Sequence, residues 1–415
     1  MSTLTGADLT AICTDLHAHP ELAFAEHRTA GIVADRLGGW GYAVHRGIGG
    51  TGVVGVLANG DGPTVLLRAD MDGLPVTERT GLPYASQETG TMHACGHDVH
   101  VTCLLGAAAD LAARRGEWSG TLQVLFQPAE EVGAGARAMV EDGLYERVGT
   151  PDVVLGQHVM PFPVGTVNLT PGPAMAAADS LRVTLHGRGG HGSSPESTVD
   201  PVLLAAAVVQ RLQGVVSREV GIAEKAVVTV GSIRAGTQAN IIPDRAELLV
   251  NVRTFDEGVR ERVLAAVHRI VDAEAVASGA PRPPEYEQIA GFGVLVNDPE
   301  ASHRTGAALG DVLTAHDDAI RRAGGAPAVV AMPPIAGSED VGELAAAAGA
   351  PLVYWHVGGA DPALFAGVDP ASLAGMGSLP AGVAPNHSPE FAPVLDPTLD
   401  LGVALLVGAA TAWLD

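Results

Sequence analysis

A chain of 415 residues is too long for one simple core, so two domains are expected. Its 47% apolar content marks a globular protein, and 53 Gly with 28 Pro mark many tight loops. A net charge of −23, from 24 basic and 47 acidic side chains, argues against nucleic acid or an anionic membrane surface as partner. An anionic substrate would then need a locally positive site.

Residues 7–18 and 26–38 read as amphipathic helices, and "TGVVGVL" and "TVLLRAD" as short buried strands. "VTCLLGAAADLAARR" is helical, "TLQVLFQ" is a strand ended by Pro128, "GAGARAMVEDG" is a helix closed by Gly143, and "PDVVLGQHV" is a strand. Such alternation predicts an α/β fold: a mostly parallel sheet with helices on both faces, binding ligands beyond the carboxyl ends of its strands.

The pattern changes near residue 179. "DSLRVTLHGRG" alternates like a half-exposed strand. A helix over about 199–217, strands at "AVVTVGSIR" and "AELLVNVRTF", a helix over about 258–278 and "PPEYEQI" follow. This β-α-β-β-α-β order predicts an inserted ferredoxin-like α+β domain over 179–290, inside a discontinuous catalytic domain of 1–178 and 291–415. The α/β alternation then resumes with a helix at "SEDVGELAAAA", a strand at "PLVYWHV" and a last helix over 395–413. No basic run followed by an apolar one opens the chain, and no apolar stretch approaches the ~18 residues of a membrane span. The three cysteines (Cys13, Cys95, Cys103) are too sparse for a disulfide framework, so a cytoplasmic location is expected.

"TMHACGHDVH" gathers His93, Cys95, His97, Asp98 and His100. In an extended segment, residues two apart share a face, so Cys95 and His97 can present sulfur and nitrogen to one point. Gly96 allows the close fold between them. Each histidine alone would more often be structural; the cluster points to a metal. "FQPAEE" adds Glu130 and Glu131 after an apolar strand. Two carboxylates in one cleft need a cation, and one as ligand with the other as general base satisfies them. "GQHVMP" adds His158 and "PNHSPEF" adds His387. Cys95, His97, Glu131, His158 and His387 exceed the protein ligands of one zinc, which suggests two ions sharing a ligand.

With "HAHPEL", "RADMDGLP", "MHACGHD", "FQPAEE", "GQHVMPFPVGT", "GRGGHGSSP", "QANIIPDRAEL", "GSED" and "NHSPEF" in this order, the chain resembles the M20 metallopeptidase clan. It resembles in particular the amidohydrolase branch of hippurate, N-acyl-amino-acid and auxin-conjugate hydrolases. The resemblance implies a dinuclear centre on those five residues, usually bridged by the cysteine sulfur, with Glu130 as general base. It implies that His191 reaches from the inserted lid domain toward the reacting carbonyl, in its own or a partner subunit's site. Asn240 and Arg253 would hold the substrate carboxylate, for which an Arg fork is suited. Arg253 pairing with Asp256 or Glu247, and His191 capping a Gly-rich turn, are the bland readings of the same residues.

The expected activity is metal-dependent cleavage of the amide bond of N-acyl amino acids. The cofactor would be two divalent ions, zinc or manganese first, cobalt or nickel next. A homodimer through the inserted domain is a further expectation. A dipeptidase or aminopeptidase of the same clan and a non-catalytic metal-binding protein are the alternatives. Val99, Gln157 and the missing aromatic after "SED" depart from the branch without removing a proposed ligand.

Overall fold

The computed structural model describes residues 3–368 and 379–414. The chain divides into two compact units, one of Met1–Ala174, Val296–Pro333 and Asp340–Asp415, the other of Met175–Leu295 and Pro334–Glu339.

The first unit is built on an eight-stranded sheet. Across it run Ala43–Ile48, Gly52–Asn59, Gly120–Gln127, Thr64–Asp70, Val153–Pro163, Leu352–Ala360, Thr166–Asn168 and Ala328–Val330. The central pairs, from Gly120–Gln127 to Leu352–Ala360, are parallel. Val, Leu and Phe fill these strands, and Val65–Leu67 and Leu122–Phe126 are buried without a break, as in a sheet covered on both faces. One helix group packs around His97–Ala113, touching Gly6–Ala18, His27–Gly39 and Leu395–Thr411. A second joins Gly135–Glu141, Leu144–Val148 and Val341–Ala348. No helix among the described residues is long and apolar enough to cross a membrane.

The strand at Ala43–Ile48 forms an antiparallel hairpin with Gly52–Asn59, which continues antiparallel to Gly120–Gln127. This edge departs from the parallel pattern because three residues are too few for a crossover helix and allow only a tight turn. A helix at Pro299–Ala315 is also added to the expected elements. Its signals are local: the Asp298 side chain accepts the Ala301 amide, and proline stands at its first position.

Register places the chemistry. Arg68 lies opposite Gly156 and Asp70 opposite Gln127, so Asp70 is level with His158 at the carboxyl side of the sheet. Nearly every residue of His97–Ala113 is buried, so its first turn opens inside the protein. It starts from Gly96 at φ 87°, where a Cβ would come within 2.4 Å of Val159 Cγ1. Only glycine lets Cys95 and His97 turn that closely.

The second unit holds an antiparallel sheet in the order Ala226–Ala235, Arg245–Thr254, Ala177–His186, Glu285–Phe292. The helices Pro201–Glu219 and Glu257–Ala277 complete a split β-α-β arrangement. They bury Leu204, Val208, Leu212 and Val215, and Val259, Val263, Val267 and Val271, at helical spacing. Each such side chain contributes about 1.5–3 kcal/mol on burial. Asp200 and Asp256 cap the helices by accepting the amides of Val202 and Val259.

Candidate metal centre

The five donors expected from the sequence converge in the first unit. Cys95, His97 and His158 present ligand atoms within 4.8 Å of one another, and so do Cys95, Glu131 and His387. The two sets share one atom, the Cys95 sulfur. Cys95 Sγ lies 3.4 Å from His158 Nε2, and His387 Nε2 lies 3.4 Å from Glu131 Oε2. Glu130 stands at the same place, its Oε2 3.9 Å from His97 Nε2.

The rings of His158 and His100 are set by hydrogen bonds at a ring nitrogen. His158 Nδ1 donates to the Val159 carbonyl at 2.8 Å, which leaves the Nε2 lone pair facing the Cys95 sulfur, where a cation could take it. His97 Nδ1 faces Asp72 Oδ1 at 3.4 Å, and its Nε2 looks toward Glu131 at 3.7 Å. His387 has φ 67°, and its amide bonds the Ala94 carbonyl at 2.7 Å. His100 is committed on both sides: the Val159 amide donates to Nε2 at 2.8 Å, so the ring proton sits on Nδ1 and goes to Asp70 at 2.6 Å. Of the histidines in "TMHACGHDVH", the ring of His97 joins the Cys95 and His158 set and also groups with Asp70 and His100, while His93 is buried.

The donor set fits divalent cations. Both ring nitrogens of His97 and Oε1 of Glu131 are buried without a hydrogen bond, a costly condition that a bound cation removes. Burial lifts Glu131 to about 7; His97 opposes the shift, and Asp72 and Asp70 add to it. Burial also pushes the Cys95 thiol up, with Glu131 next in effect. Burial holds His158 well below the ordinary imidazole range. For His97, burial acts downward, but Asp70, Asp72 and Cys95 outweigh it and carry the group well above that range. Thiolate and carboxylate can share this buried space only with positive charge between them.

Further groups support the donors, and nothing in the sequence pattern assigned them that part. Asp72 accepts the amides of Glu130 and Glu131, each at 3.1 Å, besides facing His97. Asp70 is gripped by Arg68, a fully buried arginine that also bonds Gln127 and Asp340. Asn386 donates to the carbonyls of Cys95 and Val159, each at 3.3 Å. Their signal is present: two acids and an arginine at an apolar strand end, and an asparagine beside His387. Apart from the Arg68–Asp70 pair, however, their partners lie far away in sequence, and those of Asp72 and Asn386 are mostly backbone.

Three of the expected site residues lie in the second unit. His191 is exposed and paired opposite Ile241; Ser193 bonds its Nδ1 through the amide (3.1 Å), with the hydroxyl at 2.7 Å. Because Nδ1 accepts the Ser193 amide, the ring proton sits on Nε2. The Asn240 carbonyl accepts the Gly192 amide at 2.8 Å, which keeps Asn240 beside His191. Arg253 pairs with neither Asp256 nor Glu247: its Nη1 donates to the Ala336 carbonyl (2.7 Å) and Ser338 Oγ (3.0 Å).

Buried sulfur, imidazole and carboxylate donors at the strand ends, with a second carboxylate alongside, are the constitution of a metal-dependent hydrolase. The sequence pattern of peptidase family M20/M25/M40 matches residues 66–411, and the chain belongs to that family. It is 45% identical over 265 residues to the hippurate hydrolase of Campylobacter jejuni, covering 63% of this chain and 68% of that one. It is 40% identical over 273 residues to the N-acetylcysteine deacetylase of Bacillus subtilis, covering 64% and 70%. Among solved structures, the YXEP protein of Bacillus subtilis, a dinuclear metal binding peptidase from the M20 family, superposes with a TM-score of 0.75 at 29% identity. That match covers 99% of this chain and 98% of the other.

Proposed function

We propose that this chain is a metal-dependent amidohydrolase that cleaves the amide bond of N-acyl amino acids. The observation that carries the reading is the meeting of two three-donor sets at one sulfur, Cys95, with Glu130 next to them. Cys95, His97 and His158 would hold one divalent ion, and Cys95, Glu131 and His387 a second. Zinc suits the thiolate, and manganese suits the oxygen and imidazole donors. When bound, the pair supplies Lewis-acid polarisation and makes water acidic enough to deprotonate near neutral pH.

The remaining steps belong to the chain's own groups. A water oxygen adds to the acyl carbonyl carbon as a Glu130 carboxylate oxygen takes its proton. Glu130 passes that proton to the amide nitrogen as the C–N bond breaks, leaving a free acid and an amino acid. Asp72 holds the two glutamate amides, so the base and its neighbour keep fixed directions. His191 would donate through Nε2 to the developing oxyanion, and Arg253 with Asn240 would take the substrate carboxylate. Relatives named for hippurate hydrolysis and N-acetylcysteine deacetylation support an N-acyl amino acid as substrate. In the same proposal the second unit serves as lid and as the surface of a homodimer.

The test is a hydrolysis screen of N-acetyl, N-benzoyl and N-succinyl amino acids, with dipeptides alongside, on zinc- or manganese-loaded protein. Acyl amino acids should be cleaved, and Glu130→Gln should bind its cations yet lose about 100- to 10,000-fold in turnover, the usual share of a general base. Cleavage of dipeptides alone, or an active Glu130→Gln, would end the reading.

A further inference from the structure

Three non-glycine residues among those described adopt a left-handed backbone: Phe24 (φ 61°), Ala129 (φ 51°) and His387 (φ 67°). An L side chain resists this conformation, so something must hold it there. For two of the three the holder is the same atom. Glu26 Oε1 accepts the Ala129 amide at 2.9 Å and the Phe24 amide at 3.0 Å. The other carboxylate oxygen takes the Thr51 hydroxyl. Glu26 is wholly buried.

Ala129 leads directly into Glu130 and Glu131, whose amides end on Asp72. Three successive amides of one turn therefore rest on two buried carboxylates that come from separate parts of the chain. The far side of the turn is closed by the Gly135 amide, which bonds the Ala129 carbonyl at 3.1 Å. A Cβ on Gly135 would fall 1.6 Å from the Pro128 carbonyl oxygen, so only glycine fits where the turn closes. If Ala129 relaxed to ordinary φ, the direction in which Glu130 leaves the turn would rotate with it.

We propose that Glu26 is a positioning residue for catalysis, which fixes Ala129 in its left-handed conformation and thereby aims the Glu130 carboxylate. The inference rests on the reading of Glu130 as the general base. Glu26 touches no reacting atom; its action passes through the backbone of residue 129. A misplacement of a catalytic group by about 1 Å costs on the order of 100-fold, which sets the size of the expected effect.

The experiment compares Glu26→Ala alone and with a glycine at one of the two left-handed positions. Glu26→Ala should lower kcat by on the order of 10- to 100-fold, with KM nearly unchanged and two cations still bound by elemental analysis. Adding Ala129→Gly should recover most of that loss, because glycine adopts the left-handed conformation unaided. Adding Phe24→Gly should raise the thermal midpoint without recovering kcat. A merely structural role would give equal rescue from either glycine, and that result would overturn the proposal. So would a Glu26→Ala enzyme with wild-type kcat. If Glu26→Ala does not fold, Glu26→Gln carries the same comparison, since its single neutral acceptor should hold Ala129 less firmly. A several-fold loss in kcat recovered by Ala129→Gly supports the proposal; no loss, or none recovered, overturns it. Glu130→Gln run alongside separates the two failures. Turnover in that variant removes the base reading and this inference together, whereas an inert Glu130→Gln beside an unimpaired Glu26→Ala removes the inference alone.

Discussion

Replacing Asp72 by Asn keeps its size and removes its charge at the point where three groups meet. The Glu130 amide lies 3.1 Å from Oδ1 and the Glu131 amide 3.1 Å from Oδ2, and His97 Nδ1 lies 3.4 Å from Oδ1. A hydrogen bond to a charged acceptor contributes about 1.5–3 kcal/mol, so the two amides together account for about 3–6 kcal/mol. Asn can still accept one amide, for about 1 kcal/mol, but turns its own NH2 against the other donor. The net loss is therefore about 2–5 kcal/mol, and its lower limit corresponds to about a 30-fold change in an equilibrium constant. That falls within the roughly 10- to 100-fold usual for the outer partners of metal ligands. The assay is competition for bound zinc against a chelator of known affinity, with turnover at saturating metal as a second readout. We expect Asp72→Asn to release its cations at least about 30-fold more readily. Wild-type retention together with turnover within twofold of wild type would refute the reasoning, since Asp72 would then be orienting neither His97 nor the glutamate turn.

Cys95→Ala removes the one atom common to both donor sets, so cation content should fall at both positions together; loss of a single equivalent by elemental analysis would show that the sulfur serves only one. Glu131 is raised to about 7 in the metal-free protein, so between its ordinary carboxyl range and pH 7 it carries a proton that a cation must displace. Zinc added at pH 6 should release protons in an unbuffered titration and bind more weakly than at pH 8; pH-independent affinity across that interval would contradict this. His17 is raised to about 9, where burial acts downward but Asp98 and Glu78 prevail. Because the folded value exceeds the ordinary one near 6.5, this stabilisation is fully present below about pH 6.5 and lost as pH rises through 9. The urea midpoint of the wild type should exceed that of His17→Asn at pH 6, and the gap should close by pH 10.

The alternation of helix and strand was legible because buried parallel strands are written as unbroken Val and Leu runs, as in "TVLLRAD" and "TLQVLFQ". The hairpin at Ala43–Ile48 was not, since its strand reads "AVHRGI" and is half exposed. The donors stood out because sulfur and imidazole are rare, and Cys95 and His97 sit two apart. Glu26, Asp70 and Asp72 were harder to read. "ELAFAEH" resembles the acidic start of an exposed helix, and only the folded chain shows Glu26 turned inward to an amide 103 residues away. A carboxylate that serves a backbone amide leaves no mark at the residue it serves, because every residue but proline has that amide. Arg68 was hidden for a related reason: a charged residue in an apolar strand usually marks its exposed side, whereas here Asp70, Gln127 and Asp340 enclose it completely.

The donor sets draw on distant parts of the chain: Asn386, next to His387, bonds the carbonyl of Cys95, 291 residues before it. A ribosome adding roughly 5–20 residues per second needs about 15–60 s to cover that interval. Once residue 158 has been added, the nascent polypeptide holds Cys95, His97, Glu131 and His158 but lacks His387 until that interval has passed. On the proposed ligand assignment, capture of a cation pair would wait until His387 is made, and a fragment ending before His387 should hold at most one cation.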